Sequence, residues 1–151
     1  MQVTENDPAE PRLENWPVQV VMTVRQRDCG PDLALNESSL LTFFHEARRS
    51  YISILNAEEE DFRYRLWDAR LKFRAVIPPD EEVMIRVRCD ELGERAFRLR
   101  YRMRERATGN LVAEGSSVQV LIDDKGADRV IPDIFRDRVV ALEGREFPRP
   151  S

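Results

Sequence analysis

Along this 151-residue chain the spacing of apolar and polar positions changes several times, and each change marks an element. After a polar stretch over 1–15, Trp16–Val24 reads WPVQVVMTV. It is short, valine-rich and free of glycine, which predicts a strand. Pro17 stands at its start, where a missing N–H is tolerated. Arg25–Glu37 loses all periodicity around Gly30-Pro31 and predicts a loop. Leu40, Phe44, Ala47, Tyr51 and Leu55 then recur every three or four residues, widened by Leu41 and Ile52. They predict a long amphipathic helix over Ser38–Leu55. Asn36, Ser38 and Ser39 are all fit to cap it, and Glu37 would stand at the positive end of its dipole. At 1.5 Å per residue the rod would be about 27 Å long, enough to lie across a sheet.

Strands follow. Patchy alternation over Arg63–Ile77 (Leu71, Phe73, Ala75, Ile77) stops at Pro78-Pro79. Val83, Ile85, Val87 and Cys89 alternate with Met84, Arg86 and Arg88. Phe97, Leu99, Tyr101 and Met103 alternate with Arg98, Arg100, Arg102 and Arg104. A last strand runs from Leu111 to about Ile122, and Pro132–Val140 predicts a short helix. Short turns between alternating strands imply an antiparallel meander. The expected architecture is α+β in two layers, with the helix on one face of the sheet and the arginines on the other. Residues 1–15 would be a flexible arm, 16–140 the domain and 141–151 a polar tail.

Composition fits one folded domain: 42% of residues are apolar and 34% charged. A net charge of −4 argues against nonspecific nucleic-acid binding. Two well-separated cysteines, Cys29 and Cys89, exclude a disulfide framework and a zinc site of CxxC type. No apolar run approaches a membrane span, the first residues make no signal peptide, and the cytoplasm is the expected compartment.

Several residues are candidates for chemistry. The ladder Arg98, Arg100, Arg102 and Arg104, with Arg86 and Arg88, reads first as a solvated, ion-paired face. A phosphate-binding surface and a subunit interface are the alternatives. His45, the only histidine, lies on the helix flank and reads as structural. Cys29 would need a base to act as nucleophile, and only His45 could supply one. Asp28, Asp32, Asn36 and Glu37 cluster just before the helix. Carboxylates there could act as base or nucleophile in acyl transfer, beside helix amides able to polarise a carbonyl. The same residue types are also common in loops and caps. There is no GxGxxG, P-loop, HExxH or GxSxG, which disfavours nucleotide-dependent and serine-hydrolase chemistry.

Three phrases carry a family resemblance: Trp16-Pro17-Val18 before a strand, the helix phrase LTFFHEAR over Leu41–Arg48, and Leu92–Asp123 followed by Val130-Ile131-Pro132. In order and spacing the chain resembles the hot-dog fold, a long central helix wrapped by an antiparallel sheet of about five to six strands. More narrowly it resembles acyl-CoA thioesterases of the 4-hydroxybenzoyl-CoA thioesterase type. The resemblance implies hydrolysis of an acyl-CoA or acyl-carrier-protein thioester without a cofactor, by a homodimer or homotetramer with its active site at a subunit boundary. It departs from the family in the loop, where Gly30 stands at the position of the aspartate that is often catalytic and Ala34 at that of a histidine. The acid would then be Asp28, slightly preferred because it matches a family aspartate, or Asp32, Glu37 or helix Glu46. The amides near Ser38 and Ser39 would hold the carbonyl oxygen, and Asn36 would orient substrate or cap the helix. The alternative is a catalytically weak module that binds acyl thioesters or serves assembly.

Overall fold

The computed structural model describes residues 16–56 and 62–148. The arm expected over 1–15 lies outside the described residues. Element order is β1 (Val18–Thr23), a short 3-10 turn (Gln26–Asp28), α1 (Glu37–Leu55), β2 (Arg63–Phe73), β3 (Glu82–Leu92), β4 (Ala96–Glu105), β5 (Leu111–Ile122) and α2 (Asp133–Glu143). The strands form one antiparallel sheet in the order β1-β3-β4-β5-β2, so β1 and β2 are its edges. This is the expected two-layer α+β fold.

The alternation read from the sequence decides which side of the sheet is dry. Val83, Ile85, Val87 and Cys89 on β3, with Phe97, Leu99, Tyr101 and Met103 on β4, are all buried. They meet Leu40, Phe43, Phe44, Ala47, Tyr51, Ile52 and Leu55 of α1. Each such large apolar side chain stabilises the fold by about 1.5–3 kcal/mol, which is why the helix lies across the sheet rather than beside it. Phe44 stacks on Tyr101 with ring centroids 4.7 Å apart. Close approach at that point depends on Gly115 of β5, where a Cβ would stand 2.6 Å from Phe44 Cε2 and collide with the Arg70 carbonyl oxygen.

On the outer face, register sets Arg86 opposite Arg102 and Arg88 opposite Arg100. Like charges so placed repel. Asp90 relieves part of this by accepting from Arg98 Nε at 2.9 Å and Arg100 Nε at 2.5 Å. Burial alone would raise the Asp90 carboxyl, but these two arginines outweigh it and hold it below its usual value. The ladder is therefore ion-paired as expected at Arg98 and Arg100. Arg102, however, is only 4% exposed, so the face is not solvated throughout.

Beside the shortening of β1 to Val18–Thr23, three boundaries move. Helix α1 begins at Glu37, one residue before the expected start, because Asn36 keeps extended φ and ψ and caps it. Strand β2 ends at Phe73 rather than Ile77: the next amides, Arg74 and Ala75, both donate to the carbonyl of Val112, the extra residue at an irregularity in the β4–β5 pairing. Helix α2 continues to Glu143, where Gly144 takes the left-handed conformation that ends it. Glu143 and Phe147 are buried, so packing reaches beyond Val140 into the stretch expected to be a polar tail.

Candidate active site

The 3-10 turn and the strand-like loop after it aim the chain into α1. Cys29 bridges Leu35, and Asn36 N–H donates to the Asp28 carbonyl, closing the base of a small hairpin. Its tip is a turn in which Leu33 N–H donates to the Gly30 carbonyl at 3.0 Å. Leu33 itself has φ 59°. Leu35 N–H also donates to the Ile77 carbonyl at 2.8 Å, stitching the loop to the segment after β2.

Where the helix begins, Asn36 Oδ1 accepts from Ser39 N–H at 2.9 Å. This is an ordinary N-cap. It engages the Ser39 amide, one of the two expected to hold a substrate oxygen. The amides of Glu37 and Ser38 have no acceptor among the described residues, so the available donors sit one residue earlier than expected. They point out of the positive end of a 19-residue helix.

A cavity of about 780 Å³ opens at this end of α1. One side is the loop and helix start: Gly30, Asp32, Asn36 and Glu37. The other is an apolar wall of Phe73, Ala75, Val76 and Ile77, with Leu35 of the loop also in the lining. The wall went unread in the sequence because its alternation resembles a continuing strand. The break at Pro78-Pro79, and the extended bias that Pro78 imposes on Ile77, were the available signals.

The cavity separates the candidate acids. Asp32 lines it, and its Oδ1 accepts a long hydrogen bond from Ala34 N–H at 3.3 Å. That same oxygen is 3.2 Å from where a Cβ at Gly30 would stand. Asp32 thus fills the space that a side chain at position 30 would enter. Glu37 also lines the cavity. Asp28 does not: its Oδ2 accepts from Arg25 N–H at 2.9 Å and caps the 3-10 turn. Glu46 pairs with Arg49 on the helix flank, about 14 Å along the axis from Glu37. His45 is as remote, and its Nδ1 meets Arg48 Nη2 at 3.2 Å. Arg48 is itself buried and donates to the Tyr101 hydroxyl. Burial, and then the charges of Asp28, Asp32 and Asp80, push the Cys29 thiol up, which suits it poorly to act as a nucleophile.

The sequence model of the thioesterase-like superfamily matches residues 24–142. The chain belongs to that superfamily. Its match covers the loop, helix α1 and strands β2 to β5, and thioester hydrolysis, expected from the sequence, is the activity this membership supports. None of the curated proteins matches the sequence. Among solved structures, a thioesterase from Thermus thermophilus complexed with coenzyme A and Zn is 28% identical, with a TM-score of 0.80. That likeness covers 89% of this chain and all of the other. A thioesterase superfamily member from Jannaschia sp. CCS1 is 18% identical over 91% of this chain and 89% of its own, with a TM-score of 0.78. A 1,4-dihydroxy-2-naphthoyl-CoA thioesterase from Synechocystis is 17% identical over 83% and 96%, with a TM-score of 0.72. These last two share the hot-dog fold with this chain. No helix among the described residues is long and apolar enough to cross a membrane.

Proposed function

We propose that this superfamily member hydrolyses an acyl-CoA thioester in the cavity at the start of α1, with Asp32 as the general base. The observation that carries the reading is the meeting of two groups at one largely apolar cavity: the Asp32 carboxylate and the start of α1 at Glu37, whose amide and that of Ser38 beside it are unengaged. In this scheme the thioester oxygen faces the amides of Glu37 and Ser38. Water, held by Asp32, attacks the carbonyl carbon and gives up a proton to that carboxylate. The oxygen becomes an oxyanion and is stabilised by the two amides and the helix dipole. The carbon–sulfur bond then breaks, sulfur leaves with the proton from Asp32, and the acid and the thiol are released.

Asp32 is preferred over Glu37 on charge. The Glu37 carboxylate belongs to the residue whose amide would hold the oxyanion, and a second negative charge there opposes its formation. Asp32 stands in the loop before the helix, and its own amide is not one of those that would hold the oxyanion. Asn36 holds the helix mouth in shape. Coenzyme A, rather than an acyl-carrier protein, is taken as the carrier because the Thermus relative was solved with coenzyme A. Cys29 and Cys89 are free thiols, in keeping with the reducing cytoplasm.

The working form would be a dimer built on β2. This edge strand is 11 residues long, among the described residues pairs with β5 alone, and carries exposed Leu66, Trp67 and Phe73. Exposed strand edges of this kind recruit another strand. Because the cavity wall continues from the end of β2, a second copy there would also help to close the cavity.

A thiol-release assay over acyl-CoA substrates of several chain lengths, with aryl thioesters alongside, tests the activity. Turnover that Asp32→Asn lowers at least a hundredfold is expected. An absence of turnover on every substrate would remove the reading.

A further inference from the structure

We infer that the acyl group taken by this cavity is uncharged and apolar, and that acyl groups ending in a carboxylate are rejected. The inference rests on the thioesterase reading and narrows its substrate class. Every charged residue that this protomer contributes to the lining is acidic, namely Asp32 and Glu37; among its described residues no arginine or lysine lines the cavity, in a chain with 24 basic residues. The arginine nearest in sequence, Arg74, is turned to Glu114 at 2.5 Å and neutralised there. The rest of the wall is apolar: Leu35 from the loop and Phe73, Ala75, Val76 and Ile77 from the end of β2 and the segment after it. Val76 is 75% exposed and Phe73 36% exposed, which is an unusual placement for large apolar side chains flanking one opening.

This lining sets two selections. A methylene moved from water onto the apolar wall gains enough to raise affinity about fourfold for each carbon that still finds wall to cover. A carboxylate on the far end of the acyl chain meets the opposite condition. It would lose hydration against Val76 and Phe73, where this protomer offers no cationic side chain to replace it. It would also feel two like charges. At a separation of about 8 Å and intermediate screening, each repulsion weakens binding on the order of thirtyfold. Octanoyl and octanedioyl groups are equal in chain length and differ only in that terminal charge, so they isolate the effect.

The test is calorimetric titration of the full chain with two non-hydrolysable thioethers of coenzyme A, S-octyl and S-(7-carboxyheptyl). The octyl compound is expected to bind at least a hundredfold more tightly, and S-butyl-CoA more weakly than S-octyl by a factor of ten or more. Val76→Arg places a cation on the wall at an exposed position. It is expected to recover at least tenfold of the lost affinity for the carboxylated thioether, while leaving the fold intact by circular dichroism. Equal binding of the two C8 thioethers, or no dependence on chain length, would overturn the inference. Hydrolysis of octanoyl-CoA, measured separately, tests the thioesterase reading, so the two can fail independently.

Discussion

The Tyr51 hydroxyl donates to Glu143 Oε2 at 2.6 Å across 92 residues of chain, and the same oxygen accepts from Cys89 N–H at 2.8 Å. One carboxylate thus ties α1, β3 and α2 together in the core. The Cys89 amide it engages borders the irregularity in the β3–β4 pairing at Asp90. Burial raises the Glu143 carboxyl, and the Cys89 N–H, the Tyr51 hydroxyl, Arg145 and Arg88 only partly counter it. A carboxyl held above its unfolded value, about 4.3, binds its proton more readily in the folded state. Its stabilising effect is therefore complete below about pH 4 and is lost as pH rises through the folded value. Glu143→Gln keeps an acceptor without the charge. Its melting temperature should gain on that of the native protein as pH rises from 4 to 8, and parallel curves would contradict this. Glu143→Ala strands two buried donors and should cost about 2–5 kcal/mol near pH 4, and less as pH rises.

Asn36 connects stability to the proposed chemistry. Asn36→Ala removes the cap on Ser39 N–H and should destabilise the protein by about 1 kcal/mol, read as a lower urea midpoint with an unchanged m value. Asn36→Ser should restore most of that stability. Asn36→Ala should also lower kcat, because a frayed first turn no longer holds the amides of Glu37 and Ser38 in place.

Much of this was legible in the sequence, and the reasons are physical. Alternation on β3 and β4 and the apolar stripe on α1 are one-dimensional records of a two-layer core, so the α+β architecture followed from period, while the hot-dog fold came from the resemblance. The site was legible only to the level of a neighbourhood. Asp28, Asp32 and Glu37 are indistinguishable as letters. What separates them is that Asp28 caps a 3-10 turn while Asp32 and Glu37 face a cavity. The cavity's second wall comes from Phe73–Ile77, some 40 residues away, through a single Leu35–Ile77 hydrogen bond that no local pattern announces. Buried Arg48, Arg102 and Glu143 escaped for a related reason: charged residues are expected outside, and only their tertiary partners make them inside residues.

The three loop acids can be ranked by experiment. Asp32→Asn should lower kcat by about 10²–10⁴, the usual worth of a positioned general base, with little change in KM. Glu37→Gln should leave kcat within about threefold or raise it, because it removes a negative charge beside the oxyanion. Asp28→Asn should act mainly on stability through the Arg25 amide. Steady-state kinetics on one acyl-CoA substrate decides the order, and a larger loss in Glu37→Gln than in Asp32→Asn would reverse the assigned roles.

Gly115 should tolerate no side chain. Gly115→Ala drives a methyl against the Arg70 carbonyl oxygen and to within 2.6 Å of Phe44, so either the β2–β5 pairing or the stacked Phe44–Tyr101 rings must shift. Overpacking of this kind costs about 1–3 kcal/mol. Chemical denaturation should show that loss, and Phe44→Leu, made together with Gly115→Ala, should recover part of it if the ring is the obstacle.

The proposed dimer makes the sharpest demand on Trp67. It is the extra residue where the β2–β5 register shifts between Leu66 and Asp68, and it is 71% exposed on the free edge of the sheet. An indole so placed would be costly to leave in water beside Leu66, and a second copy of β2 would cover both. Leu66→Lys combined with Trp67→Lys puts like charges on each edge and should yield a folded monomer by sedimentation velocity where the native chain sediments as a dimer. If the cavity is closed by the partner, the monomer should also lose kcat/KM by at least tenfold while Asp32 and the helix cap are untouched. A native chain that is already monomeric at micromolar concentration would remove the dimer, and a monomeric variant with full activity would show that one copy builds the whole site.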